Sequence, residues 1–197
     1  MTYTFNRILI AFSSTATAVF GVYFKLQSFF FMPVFGLNNG MIPIVAYNYG
    51  AGNPKRMKNT MRYAYIIAFL LTFIGFLCFN LIPKVLLGFF DASEEMVAIG
   101  VPALRTIAIH FLIAWYCIVT LSTFQAVGKA IYSLYVSVAR QLVVLLPAAY
   151  VLSRIGGLSL IWWSFPLAEI MSALISTICL LRLRKMLNAG HEASGHS

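Results

Sequence analysis

MRYAYIIAFLLTFIGFLCFNLIPKVLL, residues 61–87, decides the fold: between Arg62 and Lys84 it carries no charged side chain. About twenty apolar residues in a helix cross the roughly 30 Å hydrocarbon core of a bilayer. The run is continuous rather than alternating every second residue. It therefore selects a helix over a strand of a closed barrel, the two structures that satisfy their own backbone groups in lipid. The whole chain has the same character, with 61% hydrophobic and 10% charged residues, whereas soluble domains carry charge on about a quarter of their positions. The net charge of +9 sits in short Lys/Arg clusters between apolar runs, so it reads as a topology signal rather than a nucleic-acid face. Cys78, Cys117 and Cys179 fall inside apolar runs, are odd in number and lack metal-ligand spacing. They read as buried small side chains, not as disulfides or a zinc site.

Working outward, four more full-length stretches run over 18–45, 97–127, 131–152 and 158–181, and one incomplete stretch covers 1–12, followed by the polar turn Ser13 to Thr17. About twelve residues rise only about 18 Å, too little to span. The expected fold is an all-α membrane protein of about five and a half transmembrane helices, with a transmembrane lobe over 1–187 whose first helix is truncated at its N-terminus. Met1 is accordingly expected to be internal to a longer chain, and the polar tail 188–197 to be disordered. Lys55, Arg56, Lys58 and Arg62 follow the second stretch, and Arg182, Arg184 and Lys185 follow the last. Both clusters are expected on the cytoplasmic side, and helix parity agrees. Asp91, Glu94 and Glu95 then fall outside, and Trp162 and Trp163 are expected at the outer headgroup level. The C-terminus is thus expected in the cytoplasm and the protein in the cell membrane as a multi-pass chain. Pro33, Gly36, Gly40 and Pro43 crowd the second stretch, which is either a helix with tolerated kinks or a broken, pathway-lining element. Pro102, Pro147 and Pro166 interrupt the later ones.

The segment from Met32 through Asn38, Asn39 and Gly40 to Ala51, followed by Asn53-Pro54-Lys55-Arg56, resembles the multidrug and toxic compound extrusion family, in particular its branch of Gram-positive and anaerobe drug exporters. Phe124 to Lys129, Arg140-Gln141 and Leu146 to Tyr150 resemble it at matching spacing. The resemblance implies twelve helices in two six-helix lobes around a central cavity, with this chain as the C-terminal lobe and the N-terminal lobe as its missing partner. It also implies export of cationic, partly aromatic drugs in exchange for H+ or Na+, with no other cofactor. The first lobe of such proteins often carries an essential acidic residue that nothing here replaces. A flippase for lipid-linked sugars in the same superfamily, or a non-functional fragment, is the alternative. No Ser/His/Asp set, metal-ligand spacing or phosphate loop points to an enzyme, and lipid rather than nucleic acid is the expected partner.

Glu169 is the one carboxylate placed well inside a span. Burying its charge in lipid costs ~2.5–3.5 kcal/mol on insertion scales, so it should face protein or water. Glu169, Ser172, Ala173 and Ser176 share a helix face opposite Met171, Leu174, Ile175 and Ile178. Glu169 is either a proton or cation site, or a structural carboxylate paired with Arg140, Arg105 or a helix neighbour. His110 is a candidate proton relay, because imidazole titrates near neutrality, or else a hydrogen-bonded packing residue. Arg105 is expected to snorkel to the outer face. Gln27, Asn38, Asn39 and Gln125 are either interhelical hydrogen-bonding groups or cavity lining. The resemblance favours lining for Asn38 and Asn39 and adds Arg140 and Gln141. The 17 Phe and 10 Tyr suit cation–π contacts with drug cations without singling out one ring.

Overall fold

A computed structural model describes residues 2–194. The chain runs through α1 (Thr2–Ile10), α2 (Ser14–Gly50), α3 (Pro54–Leu81), the short α4 (Pro83–Gly88), α5 (Glu94–Ala108), α6 (Phe111–Ala126), α7 (Ala130–Val138), a π-helical segment (Ala139–Leu145), α8 (Leu146–Ile161) and α9 (Ser164–Ser194). Side chains beyond Leu183 and residues 195–197 lie outside the described residues, so of the polar tail expected over 188–197 only the backbone to Ser194 is described. Among the described residues, four helical stretches are long and apolar enough to cross a membrane: α2, α3, α7 through α8, and α9 to Leu183. The bent pair α5–α6, at 49°, makes a fifth. These are the five full-length stretches read from the sequence.

Local chemistry sets the ends. Ser13 caps α2 by accepting from the Thr15 N–H at 3.0 Å. Asn53 caps α3 by accepting from the Arg56 N–H at 3.2 Å, with Pro54 in the first turn, where a missing N–H costs nothing. Ser93 caps α5 in the same way.

α2 is one continuous helix with Pro33 and Pro43 inside it, so of the two readings the sequence left open, tolerated prolines rather than a broken helix apply. The interruptions lie elsewhere: at the α5–α6 bend, in the π segment, and at Gly156-Gly157. Pro147 follows the π segment and has no N–H to give the carbonyl one turn back, which loosens the α-helical ladder just before it. Gly156 and Gly157 are non-helical, with Gly157 at φ 64°, ψ −152°, a region open essentially to glycine alone, so α8 is kinked there into two helical pieces. Helix resumes near Leu158, where the sequence placed the start of the last stretch, and after a turn at Trp162-Trp163 the last long helix runs from Ser164. Of the two tryptophans expected at the headgroup level, Trp162 is only 2% exposed and packs into the core with Phe165 and Ala168, while Trp163 remains at the surface.

Lipid removes the hydrophobic drive between helices, so close packing and interhelical hydrogen bonds hold the lobe. One core region gathers Phe5, Phe20, Tyr23, Phe79, Ile107 and Phe111. The other gathers Val34, Met41, Ala64, Ala68, Val119 and Phe124 nearer the α2–α3 turn. Gly75 lets α3 approach closely: a Cβ there would lie 3.0 Å from Phe111 of α6 and 3.4 Å from Phe30 of α2. Tyr65 of α3 shares a 2.8 Å hydrogen bond with Thr120 of α6, and Tyr116 of α6 another of 2.8 Å with Thr177 of α9. Such bonds are worth about 0.6–2 kcal/mol each. Outward-facing residues such as Phe29, Leu70, Leu142 and Leu174 are large and apolar, as lipid demands.

Candidate functional site

Polar side chains converge from four elements onto one pocket of about 230 Å³. α2 contributes Gln27 and Ser28 beside Phe24, Phe31 and Phe35, the α5–α6 bend contributes His110, the π segment contributes Arg140 and Gln141, and α9 contributes Phe165 and Glu169.

The bend is what turns His110 into the pocket. Its Nδ1 lies 2.6 Å from the Ile107 carbonyl oxygen. A carbonyl only accepts, so Nδ1 carries the hydrogen, and in the neutral ring Nε2 is left as an acceptor. The Gln27 amide lies 3.3 Å from that Nε2 and donates to it. Phe31 stacks on the imidazole with centroids 6.2 Å apart and planes at 12°.

Across the pocket, the Arg140 guanidinium donates to Glu169 Oε2 at 3.0 Å, the one ion pair among the described residues. The two partners are unequally placed, since the Arg140 side chain is 34% exposed and that of Glu169 3%. Arg140 stands at the start of the widened π turn, and π-helical turns recur at functional sites. The other carboxylate oxygen, Oε1, has no hydrogen-bond partner among the described residues, and the same is true of the buried hydroxyls of Ser172, Ser176 and Tyr23. The Tyr23 ring packs against Phe165 at 5.4 Å and His110 at 6.4 Å. A buried carboxylate with an open oxygen, backed by hydroxyls and a neutral imidazole, can bind or release a proton or a small cation. Aromatic rings at the mouth can face an organic cation.

The face read for α9 holds: Glu169, Ser172 and Ser176 are buried, and Met171, Leu174 and Ile178 are exposed. Of the residues singled out in the sequence, Gln27, His110, Arg140, Gln141 and Glu169 meet in the pocket. Asn38 does not line it. It is buried further along α2, with neither amide atom partnered among the described residues. Asn39 faces outward from α2, and Gln125 is exposed at the far end of α6. Arg105 donates to the Asn80 carbonyl at 3.3 Å, which leaves Arg140 as the partner of Glu169. Sequence reasoning missed Tyr23, Phe31 and Phe165, whose apolar neighbours hide their approach to the polar cluster. Pro147 was the available signal for the π turn. Among the described residues, no group of His, Cys, Asp and Glu could hold a metal ion.

Comparison with known proteins places this geometry in a family. The chain is 24% identical over 185 residues to the multidrug export protein MepA of Staphylococcus haemolyticus, covering 92% of this chain and 40% of the relative. It thus spans about 40% of the length of the curated relatives it matches. Its fold matches the outward-facing structure of a multidrug resistance MATE family transporter of the MOP superfamily with a TM-score of 0.83, at 21% identity over 93% of this chain and 43% of the other. The MATE multidrug transporter DinF-BH matches at 32% identity with a TM-score of 0.78, over 89% of this chain and 40% of that one. The MatE family model matches residues 1–151, and with the helices arranged as one lobe of that transporter fold, the chain belongs to the MatE family.

Proposed function

We propose that this chain is one lobe of a secondary active exporter of cationic, partly aromatic compounds, working with a partner N-terminal lobe and driven by inward movement of H+ or Na+. Glu169 is the coupling group in this reading. The observation that carries it is the unequal burial of the Arg140–Glu169 pair. When Glu169 takes up a proton, the pair loses its attraction, and only Arg140 can move to water at low cost. The guanidinium then leaves, and the widened π turn that carries it gives it room. Gln27 and His110 line the same pocket, and His110 Nε2 could take a proton in transit only by giving up its bond from the Gln27 amide.

The cycle follows from competition for one carboxylate. An organic cation entering between Phe24, Phe31, Phe35 and Phe165 meets Glu169 paired with Arg140 and can replace the guanidinium, its charge on the carboxylate and its rings on the aromatic wall. A proton arriving on Glu169 from the other side of the membrane discharges that cation, and alternating access exposes the site to each side in turn. The Lys/Arg clusters support a cell-membrane orientation with the 53–59 loop and the C-terminus in the cytoplasm. The test is dye efflux from cells lacking their own exporters, using a full-length transporter that carries this lobe. Glu169→Gln preserves shape and hydrogen bonding but cannot ionise, so it should abolish or strongly weaken export while the protein still reaches the membrane. Wild-type efflux by the variant would remove Glu169 from the coupling step.

A further inference from the structure

A second cleft, of about 590 Å³, opens between α1 and α8, away from the site above. It is lined by Arg7 and Arg154 together with Thr4, Tyr150 and Ser153, and on its apolar side by Ile8, Phe12 and Leu146 among others. Its two charges come from different helices and have the same sign. Guanidinium does not lose its proton in proteins, so both stay positive. Neither arginine has a carboxylate partner among the described residues. Arg7 lies over the Tyr3 ring at 5.4 Å. Arg154 lies over the Tyr150 ring at 5.4 Å and donates to its hydroxyl at 3.2 Å. Since Tyr150 accepts there, its own hydroxyl hydrogen points elsewhere and is available to a third group. Permanent charge beside hydrocarbon requires a counter-charge.

Position narrows what supplies it. Arg7 lies six residues before the Ser13 cap and Arg154 three before Gly157, and a Cβ at Gly157 would lie 4.0 Å from the Phe12 ring, so the α1–α2 turn and the Gly156-Gly157 kink sit side by side. The two guanidiniums therefore stand near the same end of the lobe, the end at which polar headgroups meet acyl chains if the apolar stretches span a bilayer. An anion that carries several acceptor oxygens for two separate forks, and is followed by hydrocarbon, matches both halves of the lining.

We propose that the Arg7–Arg154 cleft binds a phosphate group, that of an anionic phospholipid headgroup, with the acyl chain lying along Ile8, Phe12 and Leu146. The arginines donate to the phosphate oxygens, the Tyr150 hydroxyl adds a further donor, and the lipid holds α1 against α8. This site stands independently of the export reading, since none of its residues lines the Glu169 pocket.

The test is native mass spectrometry of the purified chain released from detergent, with phosphatidylglycerol, diacylglycerol or inorganic phosphate added separately. Phosphatidylglycerol should be retained at one molecule per chain. Arg7→Gln/Arg154→Gln should lower that retention on the order of tenfold or more, as loss of charge-assisted bonds implies, whereas Lys55→Gln should leave it unchanged. Arg7→Lys/Arg154→Lys keeps the charge and should retain lipid, which guards against misfolding of the neutral variant. Saturable binding of inorganic phosphate, lost in the neutral double variant, would keep the phosphate site and identify a soluble phosphate as its source. Retention of phosphatidylglycerol by the neutral double variant at the wild-type level, or of diacylglycerol as strongly as phosphatidylglycerol, would overturn the proposal.

Discussion

Arg140→Met should destabilise the lobe more than Glu169→Gln, even though each change breaks the same 3.0 Å ion pair. The reason is where the abandoned partner is left. With Arg140 gone, a carboxylate 3% exposed must either remain charged without a partner or take up a proton, and breaking a buried pair by removing one member costs about 3–5 kcal/mol. With Glu169 neutralised as Gln, the amide can still accept from Arg140, and the guanidinium, already 34% exposed, can turn toward water. That cost should be nearer a lost charge-assisted bond, about 1.5–3 kcal/mol. The double variant leaves neither charge stranded, so it should recover much of the Arg140→Met loss and give a coupling of about 1–3 kcal/mol in a double-mutant cycle. The assay is unfolding of the detergent-purified chain, followed by helical circular dichroism for wild type, both singles and the double. If Arg140→Met cost no more than Glu169→Gln, or the two changes added to within about 0.5 kcal/mol, unequal burial would not govern this pair and the release of Arg140 on protonation would lose its basis.

Two further outcomes follow from the packing and the charge pattern. Gly75→Ala puts a Cβ 3.0 Å from the Phe111 ring and should lower the thermal midpoint of the purified chain by the equivalent of about 1–3 kcal/mol; an unchanged midpoint would mean that α3 and α6 are not held in close contact there. Single cysteines placed in the 53–59 and 91–95 loops of a cysteine-free variant should differ in labelling by an impermeant maleimide on intact cells, with only the second modified; equal or reversed labelling would defeat the orientation.

The spans were legible because each is a run of apolar residues bounded by charge or turn chemistry: Arg62 and Lys84 bracket the decisive stretch, and Ser13, Asn53 and Ser93 cap their helices as such residues do. The buried face of α9 was legible for the same reason, since Glu169, Ser172 and Ser176 keep helical spacing against an apolar stripe. Irregular backbone was harder to see. Prolines in α2 drew attention because they are numerous, yet the helix runs through them, whereas the α5–α6 bend has no proline at Ile109 or His110 to announce it. Gly156-Gly157, by contrast, breaks the helical backbone between the two last stretches, as the gap between 152 and 158 in the sequence implied. The pairing of Glu169 stayed open between Arg140 and Arg105 because it depends on which helices are neighbours. The π turn settles it by aiming Arg140 at α9, while Arg105 is held by a carbonyl of α3.

If Glu169 takes up the proton that releases substrate, proton movement itself is the most direct readout. Full-length transporter carrying this lobe is reconstituted in proteoliposomes with a pH-reporting dye inside, and an organic cation is added outside across about pH 6 to 8, chosen to bracket neutrality. Addition of the cation should drive protons out of wild-type vesicles, and Glu169→Gln vesicles should show no cation-driven proton movement at any pH in the range. Proton movement of wild-type size in the Glu169→Gln vesicles would contradict coupling through this carboxylate and leave Glu169 a structural partner of Arg140.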